Sequence, residues 1–187
     1  MKHWYKFVAI LFSVLLSANG MAQNRGMILL KDSIEIKTTI DSVYQWFLNL
    51  NENFVRWDSV HHTDFQLLSG GTEVGDKIYF EEIVDGVKYA IKGKIIEKTK
   101  SDDRFVFAFK TSSGMGRIYF IGEKQDDKVR FTHVEKFGLK TPVIGNVVNF
   151  LLFKVIARKK ANWDLILNDM KEDNVRLKEL MEKRNLN

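Results

Sequence analysis

The sequence predicts an α+β fold in which a curved antiparallel sheet of about seven strands wraps around a long C-terminal helix, with two short helices after the first strand. Three observations predict it. Between residues 63 and 137, segments that alternate apolar and polar side chains follow one another, separated only by short polar and glycine-containing links. Links of that length impose antiparallel neighbours, because a parallel crossover needs about a dozen residues. Before this run, apolar residues recur at helical spacing over 40–48, and after it a helical pattern continues almost to the end of the chain. The composition, 45% hydrophobic and 28% charged, is that of one globular domain, and the absence of Cys excludes disulfide-stapled folds, thiolate metal sites and cysteine nucleophiles.

Taken in order, the chain opens with Lys2 and Lys6, an apolar run of 7–18, and the small-residue segment Gly20-Met21-Ala22. These are the three regions of a secretory signal peptide over 1–22, with cleavage expected after Ala22 and a mature domain of 23–187. The run is short for a membrane span, which takes about 20 residues. An exported protein, periplasmic or secreted, is the expectation. Without Cys, lipoprotein anchoring is excluded.

Residues 27–38 alternate as a half-buried strand through Ile34 and Ile36. Thr39 is placed to cap a helix whose apolar side is Ile40, Val43, Tyr44, Phe47 and Leu48. The less regular stretch 49–62 carries Phe54 and Trp57 and predicts a second short helix. Strands are predicted at 63–68, 77–83, 87–98, 104–112, 117–124 and Lys128–Phe137. Alternation places Ile78, Phe80, Glu82, Val87, Tyr89, Ile91, Ile95, Phe105, Phe107, Phe109, Ile118, Phe120, Phe131, His133 and Phe137 on one face. Lys77, Lys88, Lys92, Lys94, Lys110 and Arg130 fall on the other. Pro142 then opens a helix from Val143 to about Met181, whose second half presents Trp163, Ile166, Met170 and Leu177 on one side. The phenylalanine-lined sheet face is the partner large enough to receive it.

This element order is that of the helix-grip fold, and the sequence resembles the START-like superfamily of polyketide cyclases and related lipid or ligand carriers. The resemblance covers residues 27 to 182 and is carried by Ile36-Lys37-Thr38-Thr39-Ile40-Asp41-Ser42-Val43-Tyr44, Trp57, Gly75-Asp76 and Leu177-Lys178-Glu179-Leu180-Met181-Glu182. It implies an apolar cavity between sheet and helix. A small hydrophobic ligand, such as a lipid, an aromatic or a polyketide-like compound, is then the expected partner. Phe80, Glu82, Tyr89, Phe105, Phe107, Phe109, Phe120, Phe131, His133 and Trp163 are its candidate contacts.

A second reading is enzymatic. Register reasoning pairs residue 65 with about 80 and residue 63 with about 82, which carries His61 and His62 toward Glu82, an inward carboxylate that is costly to bury unpaired. At 100° per residue, Asn162, Asp169 and Asp173 line one edge of the last helix's apolar stripe. His61, Glu82, Asp169 and Asp173, with His62 as substitute for His61, could hold a divalent metal ion that activates water on a ketone or ester. The set resembles the metal site of the diacetylphloroglucinol-hydrolase branch of that superfamily, in which a Trp-to-His segment, a strand Glu and a helix His/Glu pair bind zinc. Here Asp169 and Asp173 replace the helix pair, a set better suited to a harder ion. Otherwise no cofactor is expected.

The run that begins at Val143 and ends at Ile156 is too short to span a bilayer and reads as buried helix or as a lid. With Arg158-Lys159-Lys160 beside it, it is also a candidate for peripheral membrane contact. Gly70 to Lys77 mimics a phosphate loop, but Asp76 stands where the lysine is required. The basic residues are spread over a whole sheet face among acids, so no nucleic-acid partner is expected despite a net charge of +5.

Overall fold

The computed structural model describes residues 26–141, 144–156 and 163–184. The expected signal peptide, Pro142, Val143, the basic run at 158–160 and Asn162 lie outside the described residues. The described residues divide into two compact units, one of 29–137 with 163–184, the other of 26–28 with 138–141 and 144–156.

In the first unit, β1 (Ile28–Ile36) is followed by α1 (Ile40–Leu48) and α2 (Leu50–Trp57). Thr39 is the N-cap of α1 and its hydroxyl accepts from the amide of Ser42, as its position ahead of the apolar pattern requires. Strands β2 (His62–Leu67), β3 (Lys77–Val84), β4 (Val87–Lys100), β5 (Arg104–Thr111), β6 (Gly116–Gln125) and β7 (Lys128–Phe137) then pair as successive antiparallel neighbours. β1 adds to the far side of β7, giving the order β1-β7-β6-β5-β4-β3-β2. The long C-terminal helix is α4 (Trp163–Arg184). This is the helix-grip arrangement.

The predicted inner face forms the core. Ile78, Phe80, Ile95, Phe105, Phe107, Phe109, Ile118, Phe120 and Phe131 are buried, and Leu177 and Met181 of α4 join the same cluster. Phe47 of α1 organises it, with its ring centroid 4.5 Å from Phe120 and 5.5 Å from Phe131, both in stacked geometry. Trp46, beside the predicted stripe of α1, is also buried. Burial there extends round more of the helix than a three-and-four spacing delineates, because α1 is covered on more than one side.

Three expectations are corrected. Val87 and Tyr89 carry inward positions but are exposed, at 52% and 45%, because the β3/β4 hairpin runs beyond the core that would cover them. The β2/β3 register matches at Phe65↔Phe80 but shifts between His62 and Asp64, so that His62, not Thr63, stands opposite Glu82. A bulge adds one residue to one strand and turns the side chains before it by one position. Finally, the stretch expected as α-helix from Val143 holds α3 (Ile144–Phe150) passing into a π-helical segment (Leu151–Ile156); α4 is described from Trp163, and 157–162 lie outside the described residues.

In the second unit, the buried Asn149 side chain clasps one backbone residue: its Oδ1 accepts from the amide of Leu139 at 2.7 Å, and its Nδ2 donates to the Leu139 carbonyl at 3.0 Å. That contact requires Gly138, at φ 128°, since a Cβ there would meet the Asn149 amide group at 2.8 to 2.9 Å. Val147, Phe150 and Leu151 are exposed.

Candidate functional site

On the concave side of the sheet, a cavity of about 130 Å³ opens between β3, β4, β6, β7 and α4. Its apolar wall is Val84, Ile91, Ile118, Phe137, Ile166 and Met170, and Tyr89 also lines it. Its polar lining includes Glu82, His133, Glu135, Asp169 and Asp173. Behind it a pocket of about 20 Å³ shares Glu82, Ile118, His133, Glu135 and Asp173 and reaches His62, Phe54, Trp57, Phe109 and Phe120. The polar residues therefore stand between an open apolar cavity and a tight aromatic one.

Each group is placed by its element. Glu82 of β3, and His133 with Glu135 of β7, point inward by strand alternation. Asp169 and Asp173 are four residues apart on α4 and so share a helix side. His62 opens β2, where its ring stacks on Phe54 with centroids 4.1 Å apart. Its Nδ1 donates to the Phe54 carbonyl at 3.0 Å, and its Nε2 lies 3.3 Å from Asp173 Oδ2. Trp57 donates from its indole to the Asp173 carbonyl at 2.7 Å, which fixes α4 against α2.

His61 points elsewhere. Its Nδ1 is 3.0 Å from Asp58 Oδ2 and 3.2 Å from Asp169 Oδ1. Asp58 also accepts from the amides of Val60 and His61 and from Arg176 Nε at 2.9 Å. Burial alone would raise the Asp58 carboxyl, but these amides and cations reverse that and hold it below the ordinary carboxylate value.

The deeper groups are shifted the other way. Removal from water pushes the Glu82 carboxyl up to about 8; the nearby His62 opposes this, while Glu135, Asp173 and Asp169 add to it. Asp169 is raised to about 6 by burial and by Asp173, against the pull of His61 and His62. For His62, burial works against the charged ring, yet the bond to Asp173 and the charges of Asp173 and Glu82 bring it up to about 9. Of the groups that line this cavity, His133, at both ring nitrogens, and Asp173, at Oδ1, are buried without a hydrogen bond. His133 Nε2 is 3.3 Å from Glu135 Oε1, outside hydrogen-bonding geometry.

Of the expected ligand contacts, Glu82, Tyr89 and His133 line the cavity and Phe109 and Phe120 the pocket behind it. Phe80, Phe105, Phe107 and Phe131 line neither and are sealed in the core. Trp163 packs on Phe137, 5.1 Å between centroids, one layer behind the cavity wall. Glu135 was missed, although it continues the alternation of Phe131 and His133 and could have been found by it. Asp58 was missed because a carboxylate at a helix end carries no sequence signal of burial.

Of the four candidate metal ligands, Glu82, Asp169 and Asp173 line one cavity, while His62 takes the deep position and His61 the outer one. Among the described residues no group of three or more His, Asp and Glu is arranged to hold a metal ion. A wider depression on the outer sheet face, lined by Asp64, Gln66, Tyr79, Glu81 and Lys92, is open to solvent, and its Glu81 pairs with Lys88.

The geometry defines a START-like helix-grip fold, and solved structures agree. The chain is similar to ginseng major latex-like protein 151 from Panax ginseng, at a TM-score of 0.60 and 11% identity, over 83% of this chain and 97% of that one. It is likewise similar to a START superfamily protein from Mycobacterium smegmatis, at 0.53 and 9% identity, over 83% and 97% of the two chains. A polyketide-cyclase-like protein from Corynebacterium glutamicum matches at 0.53 and 15% identity, over 83% and 92%. No protein-family model matches the sequence, and no curated protein matches it.

Proposed function

We propose that this protein binds a small, largely apolar molecule in the cavity between the sheet and α4, with the polar cluster at its inner end orienting one functional group. The observation that carries this reading is the pair of buried groups without hydrogen bonds, His133 and Asp173 Oδ1, at the polar end of a cavity whose remaining wall is apolar. A buried polar group without a hydrogen bond costs about 1–3 kcal/mol, a cost that a ligand atom in this cavity would relieve. The same pattern of apolar wall and few polar groups is common to small-molecule sites. Organic extraction and mass spectrometry of the purified protein, together with titration of an apolar fluorescent probe, test it. A co-purifying compound or a saturable probe site lost on filling the cavity supports the reading, and the absence of both overturns it. Stoichiometric zinc or manganese in protein purified without a metal-affinity tag would replace it with metal-assisted hydrolysis.

We propose further that the chain is exported and cleaved after Ala22, from the charged, apolar and small-residue regions of its first 22 residues. The exposed Val147, Phe150 and Leu151 support a peripheral membrane contact for the segment that carries them. Among the described residues no helix is long and apolar enough to cross a membrane. Flotation with anionic liposomes checks this, and equal partitioning of wild type and Phe150→Ser would remove it.

A further inference from the structure

The polar end of the cavity is one-sided. Glu82, Glu135, Asp169 and Asp173 all line it, and its lining contains no Lys or Arg among the described residues. Asp173 is 5% exposed and its Oδ1 is without a hydrogen bond, although Oδ2 faces His62. A carboxylate oxygen only accepts, so the unmet requirement at this point is for a donor. His133 of β7, 4% exposed and without a hydrogen bond at either nitrogen, lies at the same end of the cavity, its Nε2 3.3 Å from Glu135 Oε1.

Resting on the ligand-binding reading above, we propose that the functional group taken at this site is a protonated amine, so that the protein binds an apolar molecule carrying a basic nitrogen. An ammonium group brings several donors and no acceptor, which matches the unsatisfied Asp173 Oδ1 and the flanking Glu135 side chain. A fatty-acid carboxylate brings only acceptors and a like charge. It would meet Glu135, Asp169 and Asp173 with no arginine or lysine in the lining to receive it, the nearest cation, His62, being already engaged by Asp173. A neutral alcohol supplies one donor but not the charge, and hydrogen bonds to a charged partner are about twice as strong as neutral ones. The cavity wall of Ile118, Phe137, Ile166 and Met170 takes the apolar remainder.

The test uses three probes of one shape, 4-phenylbutylamine, 4-phenylbutanol and 4-phenylbutanoate, titrated calorimetrically into the purified full chain at neutral pH. The amine is expected to bind about tenfold tighter than the alcohol, with the carboxylate weakest. Glu135→Gln and Asp169→Asn should each reduce the amine's advantage while leaving the alcohol's affinity within about twofold. The two differ in burial, so a folding defect in one leaves the other informative. If alcohol or carboxylate equals the amine, the amine inference fails and the ligand-binding reading stands. An amine preference unchanged in both variants would also overturn it, since the preference would arise outside this cluster. Absence of binding by all three probes would overturn both together.

Discussion

His62 Nε2 lies 3.3 Å from Asp173 Oδ2, and both side chains are buried, so this pair ties the start of β2 to the middle of α4. The surroundings hold His62 charged up to about 9: burial opposes this, while Asp173 from α4 and Glu82 from β3 overcome it and the Phe54 carbonyl of α2 assists. A histidine raised in the folded state contributes stability that is complete below its unfolded value near 6.5 and is lost as pH rises through about 9. The rise corresponds to about 3 kcal/mol. Thermal unfolding between pH 6 and 10 should show this loss in the wild type, with His62→Gln less stable at pH 6 and flatter above it. A wild-type profile that stays level across the window would show that the pair is not ionic.

Glu82 acts with the same sign by a different cause. Its carboxyl is raised from 4.5 to about 8, mainly by burial, with Glu135, Asp173 and Asp169 adding and His62 opposing. The folded state therefore loses stability as pH climbs through that interval. Glu82→Gln removes the ionisation, and its melting temperature relative to wild type should be about 7–14 °C more favourable at pH 8 than at pH 5. Equal shifts at the two pH values would place Glu82 in water.

Filling the cavity should separate binding from stability. Ile166 lines the apolar wall and is half-buried, so Ile166→Trp can project into the cavity without entering the core. Probe affinity is expected to fall about tenfold or more, with the melting temperature within about 3 °C of wild type. Retained affinity would move the ligand site elsewhere.

Gly122 of β6 faces Phe105 across the β5/β6 ladder. A Cβ built there would meet the Phe105 ring at 2.1 Å, and that ring is fully buried against Phe47 and Tyr44. Gly122→Ala should cost about 1–3 kcal/mol in chemical denaturation by overpacking. Gly122→Ala combined with Phe105→Leu should recover part of it. No cost in the single variant would mean that the core is looser than its ring packing shows.

The strands, the two short helices and the inward set of phenylalanines were legible in the sequence because each rests on local periodicity. A period of two assigns a face without knowledge of the partner strand, and the Thr39 cap follows from chemistry within one helical turn. Glu82 and His133 were legible for the same reason. The π-helical winding of Leu151–Ile156 was not, because its apolar residues are equally compatible with an α-helix.

Which histidine goes deep, which phenylalanines reach the cavity and which carboxyls resist ionisation were settled only by the tertiary structure. A single register shift between His62 and Asp64 exchanges the roles of adjacent histidines, and pattern alone does not locate a bulge. Phe80, Phe105, Phe107 and Phe131 share a face with Phe109 and Phe120, yet Phe47 of α1 covers Phe105, Phe107 and Phe131, and Phe54 of α2 with Phe65 of β2 covers Phe80. Charge state depends on solvent and neighbours brought together from β2, β3, β7 and α4. These are long-range terms, and no window of the chain contains them.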